Sequence, residues 1–372
     1  MIAIPTRASS GGLGMVVFAE RRALGAFFRG MKMRSITTFA SSIVALTALL
    51  SLGCEAEPAG TDAPHVSSDA LVSGNGTSLN GTSLNGTSLN GTSLNGTSLN
   101  GTSLNGTSLD GTSLAAMSSK GKKLMGADLA GAVLKATASD GSAVTVRIDG
   151  VTPSADPEIL YYAISWQDGT AWPSICGNDA DGAPLPAIPL SGFWDYNAGT
   201  PTGGAHVPST SIVTFACVGS TLAKCVELGY KPWKIVEECL DGKCRSLPLH
   251  SFHQACVRMM RADYCGDGAS HTKDGVPINL WDGLSIQDRA LPGGLWKREA
   301  EWSPSGAVCI DALRFDPDHD TADYVAQHCP YRMNASFSCF GSQSTFFAKQ
   351  GFGKPLGVRS LLRNEFDASY MH

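Results

Sequence analysis

His253–Gly268 reads HQACVRMMRADYCGDG, and this run decides how the C-terminal part of the chain is built. From about His250 to Ala262 the apolar residues have helical spacing, and Gly266 marks the stop. A second helix is expected over Thr221–Leu228, ending near Gly229. Strand-like stretches lie on both sides. Ala143–Asp149 and Ile159–Trp166 alternate and carry β-branched or aromatic residues, and Ser211–Val218, Ile278–Trp281 and Ala307–Ile310 look similar. Strands before and after a small helical centre predict an α+β class, disulfide-rich and β-dominated.

Further motifs surround that run. Phe215-Ala216-Cys217, Ala223-Lys224-Cys225, Gly229-Tyr230-Lys231-Pro232-Trp233 and His253-Gln254-Ala255-Cys256 precede Arg261-Ala262-Asp263-Tyr264-Cys265-Gly266-Asp267-Gly268. Glu299-Ala300-Glu301-Trp302 and Gly306-Ala307-Val308-Cys309 follow. Spaced in this order over about residues 190–310, they resemble the bacterial ADYC domain. The resemblance implies an exported bacterial protein; it implies no established activity and supplies no catalytic residues.

The chain has 11 cysteines, an odd number. Setting Cys54 aside leaves Cys176, Cys217, Cys225, Cys239, Cys244, Cys256, Cys265, Cys309, Cys329 and Cys339, an even set that reads as five disulfides in an oxidising compartment. No CxxC pair occurs, which argues against structural zinc. A domain of this length buries enough surface for a conventional core, with the bridges as staples.

Upstream lies a pentad. NGTSL begins at Asn75, Asn80, Asn85, Asn90, Asn95, Asn100 and Asn105, and DGTSL at Asp110. A period of five matches neither an amphipathic helix nor a strand. It resembles pentapeptide-repeat proteins, which form a right-handed quadrilateral β-helix with a central Leu and a small residue two places earlier pointing inward. The phase continues past Leu114, through a defect at Ser119, to Leu124, Leu129 and Leu134, and gives about three coils. A disordered repeat stalk is the alternative. Between Glu55 and Ser119 there is no Lys or Arg, so this region cannot grip nucleic acid by charge.

Near the N-terminus, MKMRSITTFASSIVALTALLSLGC (Met31–Cys54) has a basic start, an uncharged apolar stretch over Ile36–Leu52 and small residues before Cys54. This is an export signal. Its end resembles the lipobox of bacterial lipoproteins, with Ser51 where that motif has Leu, and implies a lipid on Cys54. An ordinary signal peptide cut nearby would share the compartment without the anchor. Residues 1–30 read as an over-extended start. The whole chain carries 28 Lys plus Arg against 33 Asp plus Glu, a formal charge of −5. Without residues 1–53 the balance becomes about −10, which excludes a basic nucleic-acid binder.

The densest polar group is His250, His253, Cys256, Arg261, Asp263 and Tyr264. On a helix, His250, His253 and Cys256 share a face. Read catalytically, the histidines supply a general base or metal ligands, with Asp263 orienting one. Read structurally, Cys256 bridges Cys265, Arg261 and Asp263 form a local network, and Tyr264 packs with its hydroxyl satisfied. A second cluster, Asp316, Asp318 and Asp320, resembles the start of a calcium loop but has Thr321 and Gln327 where an EF-hand needs Gly and Glu. Trp166, Trp172, Trp194, Trp233, Trp281, Trp296 and Trp302 are candidates for a carbohydrate-binding face or for core packing. No Gly-x-Ser-x-Gly elbow, His-Glu-x-x-His or phosphate-cradling loop occurs.

These observations predict an over-extended start (1–30), an export signal (31–53), the lipid-anchor cysteine with a flexible tether (54–74), a pentad segment (75–138) and a cysteine-rich domain (139–372). The expected protein is a cell-envelope lipoprotein presenting a disulfide-stabilised binding or structural domain on a repeat spacer. Its expected partners are the membrane, through the lipid, and a protein or carbohydrate ligand at the cell surface; no cofactor is expected. The alternative is a secreted hydrolase of an envelope or extracellular polymer using His250, His253 and Asp263.

Overall fold

Val144, Val146 and Ile148 are buried while Thr145, Arg147 and Asp149 between them reach outward, and the strand they form is the longest of a closed barrel. The structure is a computed structural model. It describes residues 72–74, 102–104, 107–118, 120–137, 143–195, 197–240, 243–290, 294–333, 339–341 and 360–370. The expected export signal, Cys54 and most of the pentads lie outside these residues.

The first strands are β1 (Val72–Gly74), β2 (Thr102–Leu104), β3 (Thr107–Asp110), β4 (Ser113–Met117), β5 (Lys123–Met125) and β6 (Val133–Thr137). Next come β7 (Ala143–Pro153), β8 (Leu160–Trp166), β9 (Ala187–Ser191), β10 (Phe193–Trp194), β11 (His206–Val207) and β12 (Ile212–Cys217). Helix α1 (Thr221–Glu227) leads to the hairpin β13 (Ile235–Leu240) and β14 (Lys243–Pro248), then α2 (His250–Met260). The chain continues through β15 (Pro277–Asp282), β16 (Trp296–Ser303), β17 (Gly306–Ile310), α3 (Asp320–His328), α4 (Pro330–Met333) and β18 (Leu362–Asp367). The fold is β-dominated with few helices.

Two cores result. The barrel runs β12-β2-β6-β7-β8-β9 and closes through antiparallel pairing of β9 with β12. Val146, Ile148, Tyr162, Ile164 and Phe215 fill it, and Leu114 and Leu129 join them from the adjoining β3-β4-β5 sheet and the 3-10 turn at Gly126–Leu129. The second core lies under a five-stranded antiparallel sheet, β1-β15-β18-β16-β17. Helix α2 packs on its β16–β18 part, with α1 against α2; Phe252, Ala255, Met259 and Met260 meet Leu280, Ala300 and Trp302.

The described pentads differ from the expected parallel coil. Asp110 pairs with Ser113 and Leu109 with Leu114 across the β3–β4 hairpin, whose two-residue loop places Gly111 at φ +57°. A two-residue turn with Gly first suits the twist of paired strands. Two leucines five apart therefore face each other across a hairpin. Thr112 is buried beside them; its hydroxyl donates to the Glu158 carbonyl and accepts from the Leu160 N–H. Likewise Leu124, Leu129 and Leu134 fall on β5, the 3-10 turn and β6, all within antiparallel or turn structure. The division expected at 138/139 is accordingly no structural boundary, because β2 and β6 are barrel strands.

All ten cysteines after Cys54 are bridged, as Cys176–Cys217, Cys225–Cys256, Cys239–Cys244, Cys265–Cys329 and Cys309–Cys339. The expected Cys256–Cys265 bridge is corrected. Cys256 lies mid-helix facing α1, whereas Cys265 lies beyond the end of α2 and meets the end of α3.

Candidate functional site

Helix α2 ends because Ala262 turns left-handed, at φ +49°, and sends Asp263 back under the helix. The Asp263 carboxylate then accepts from the backbone N–H groups of Gly266 (2.9 Å), Asp267 (3.1 Å) and Gly268 (2.9 Å), and pairs with Arg258. Three converging amides and a guanidinium fully occupy this buried acid. Gly266 sits at φ +72° against the Ser305 carbonyl, and Gly268 at φ +84° against the backbone of Gly203, so a side chain at either would collide. Arg258 also donates to the Gly203 carbonyl, tying the turn to the loop after β10. Arg261, expected to partner Asp263, donates instead to the Gly268 carbonyl at 2.7 Å. Burial pulls its guanidinium pKa down to about 10.

Tyr264 enters the second core and stacks on Trp302. Its hydroxyl donates to Glu299 at 3.0 Å and accepts from the Arg314 N–H at 2.8 Å. Glu299, fully buried on β16, also receives Arg314 Nε (2.9 Å) and Asn364 Nδ2 (2.6 Å). The other Arg314 nitrogens donate to the Met259 and Met260 carbonyls, satisfying the open C-terminal end of α2. Asn364 then accepts from Trp302 Nε1 at 2.7 Å. One acid therefore locks α2, β16, β18 and the loop after β17 together. Glu301, two residues on, is held by Arg363, Ser360 and the Phe340 N–H.

Of the candidate catalytic residues, His250 and His253 lie three apart on α2 and interact electrostatically, while Asp263 is held in the turn beyond the helix end. His250 is exposed at the start of α2. His253 is buried, its ring Nε2 donating to the Leu222 carbonyl at 3.1 Å, and burial drives its pKa down to about 3. Asp263 is saturated by the turn. The calcium arrangement is not formed: Asp316 Oδ1 accepts from the Thr321 and Ala322 amides at the start of α3, and Asp318 and Asp320 flank it on exposed positions. Among the described residues no group of three or more His, Cys, Asp or Glu could hold a metal ion. Trp194 and Trp302 are core residues, while Trp166, Trp172, Trp233, Trp281 and Trp296 are half-buried at separate places.

A polar cluster that sequence reasoning missed lies on the outer side of the turn. Tyr324 donates to Asp267 at 2.8 Å, stacks on His328 with centroids 3.9 Å apart and meets the His271 ring at 4.6 Å. Burial, then the Asp267 carboxylate, raises the Tyr324 pKa; burial lowers that of His271, keeping it neutral near pH 7. These half-exposed rings offer hydrogen-bond donors and acceptors but no activated nucleophile. The i,i+4 spacing of Tyr324 and His328 was the available signal, with nothing in the sequence to join them to His271. A shallow cleft of about 280 Å³, lined by Ala143, Val144, Thr145, Trp166, Gln167 and Gly169, lies apart from it where β7 begins and β8 ends.

The pentapeptide-repeat family matches residues 75–114 in eight copies. No curated protein and no solved structure matches the chain. The ADYC domain matches residues 126–316, just over half of the chain, and takes in most of the barrel as well as the turn that Asp263 organises; the chain belongs to the ADYC domain family.

Proposed function

We propose that the protein is an exported cell-envelope lipoprotein whose ADYC domain is a disulfide-stapled binding or structural module rather than an enzyme. The observation that carries this reading is the cysteine balance. Five disulfides use every cysteine from Cys176 onward, which suits an oxidising compartment and leaves Cys54 as the one thiol for a lipid. Saturation of Asp263 and burial of His253 agree with a non-catalytic role for the polar residues of the signature turn.

Strands on either side of the pentads Asn75–Leu99 pair with the folded domain. β1 pairs with β15 at the edge of the second sheet, and β2 pairs with β6 and β12 in the barrel. Pentads between Gly74 and Thr102 therefore begin and end on the folded domain.

Intact mass of the purified mature protein tests the reading. A new N-terminus at Cys54 carrying a diacylglycerol-sized adduct, with no cysteine alkylated before reduction, is expected. An unmodified thiol at Cys54 would sink the anchor, and free thiols elsewhere would sink the five-bridge domain.

A further inference from the structure

Four of the five disulfides hold at least one buried cysteine. Cys176, Cys217, Cys225, Cys256, Cys309 and Cys329 are buried, and Cys265 and Cys339 are half-buried. Cys239–Cys244 is different in each respect that governs reactivity. Both cysteines are exposed, on opposite strands of the β13–β14 hairpin, and they form a directly facing pair in its register. That hairpin is a two-stranded sheet by itself. The bridge spans a separation of 5 residues, against 30 to 64 for the other four.

A bond across so short a loop removes little freedom from the unfolded chain. The hairpin does not depend on it: six residue pairs from Ile235↔Pro248 to Leu240↔Lys243 hold the ladder, and Leu247 and Leu249 anchor its base in the second core. A solvent-facing disulfide whose loss leaves the fold standing has the properties of a labile rather than a structural bond.

We propose that Cys239–Cys244 is a thiol–disulfide exchange site, at which a dithiol reductant opens the bond in the folded protein. One thiolate of the dithiol attacks one sulfur of the pair, forming a mixed disulfide and expelling the other sulfur as a thiolate. The second thiolate of the reductant then attacks the mixed disulfide, closes the reductant's own disulfide and releases the first cysteine. Two electrons pass from the dithiol to the protein, and the two protons of the dithiol end on Cys239 and Cys244. The exchange is reversible, so an oxidised partner would remake the bond.

The test is graded reduction of the purified folded protein, with alkylation of free thiols and peptide mass analysis. Dithiothreitol serves as the small dithiol and a thioredoxin as the protein dithiol. Cys239 and Cys244 should be alkylated at a dithiothreitol concentration at least tenfold below that needed for any other pair, with near-UV circular dichroism unchanged. Reaction with thioredoxin as well would identify a protein dithiol as a competent source; reaction with dithiothreitol alone would restrict the site to small dithiols. The doubly substituted Cys239→Ser, Cys244→Ser protein should fold and lose this early alkylation. Opening of another pair first, loss of the native dichroism together with the opening, or failure of the double variant to fold would each overturn the proposal.

Discussion

The barrel and the α2–sheet half solve the same problem with different chemistry. The barrel core is made of Val146, Ile148, Ile164, Phe215 and their neighbours, with Tyr162 offering its hydroxyl to the Leu114 N–H. The other half encloses charges: Arg258 with Asp263, Arg314 with Glu299, and Arg363 with Glu301. Buried ion pairs add little net stability over apolar packing of the same shape, because desolvation offsets their attraction. What they add is geometry. Glu299 accepts from three different segments at once, so those segments fit in one arrangement. In an apolar barrel a residue needs the right size and side; in the charged half it needs its particular partner.

Single substitutions should separate the halves. Glu299→Ala strands a buried guanidinium and should cost about 3–5 kcal/mol in urea unfolding. Combining Leu at 299 with Met at 314 should recover much of that loss. If the single variant costs no more than a methylene, the charged half is not partner-specified. Ile148→Ala in the barrel should cost about 2–4 kcal/mol, with Ile148→Val near 1.

Acid should affect the charged half through His253. Its folded pKa of about 3 lies below the ordinary 6.5 because burial disfavours the cation. Between those values the unfolded chain binds the extra proton, so the contribution is complete above pH 6.5 and is lost as pH falls toward 3, by about 2 kcal/mol at pH 5. His253→Gln should flatten the fall in melting temperature between pH 6.5 and 5; an unchanged slope would remove His253 as its origin. Ser220 accepts from the Ala223 N–H at the start of α1, and Ser220→Ala should cost about 1 kcal/mol.

Legibility in the sequence followed the same contrast. Alternation marked β7, β8, β12 and β17, and helical spacing marked α1 and α2, because apolar periodicity is a local signal. Strand β16 gave no such signal. Its sequence WKREAEWS places carboxylates at Glu299 and Glu301 on positions that are fully buried, a pattern made stable by Arg314 and Arg363, which lie far along the chain. The signature turn was recognisable as a motif, yet its role depends on amides three to five residues after Asp263 and on an arginine five before it. Pentad spacing was visible, but a coil and a hairpin both place every fifth residue on one core. The hairpin loop is Gly111-Thr112, and since every pentad carries an Asn-Gly or Asp-Gly pair, the sequence did not single out this turn.

Strand β18 has a consequence in time. It lies between β15 and β16, hydrogen-bonded to both, although its residues follow β17 by some 50 positions. During vectorial synthesis, β15 and the β16–β17 pair emerge without the strand that joins them. Glu299, Trp302 and Glu301 then await Asn364 and Arg363. The second core stays divided until residues 362–367 arrive. A chain whose sheet is completed last is kept from locking prematurely while it is still being synthesised.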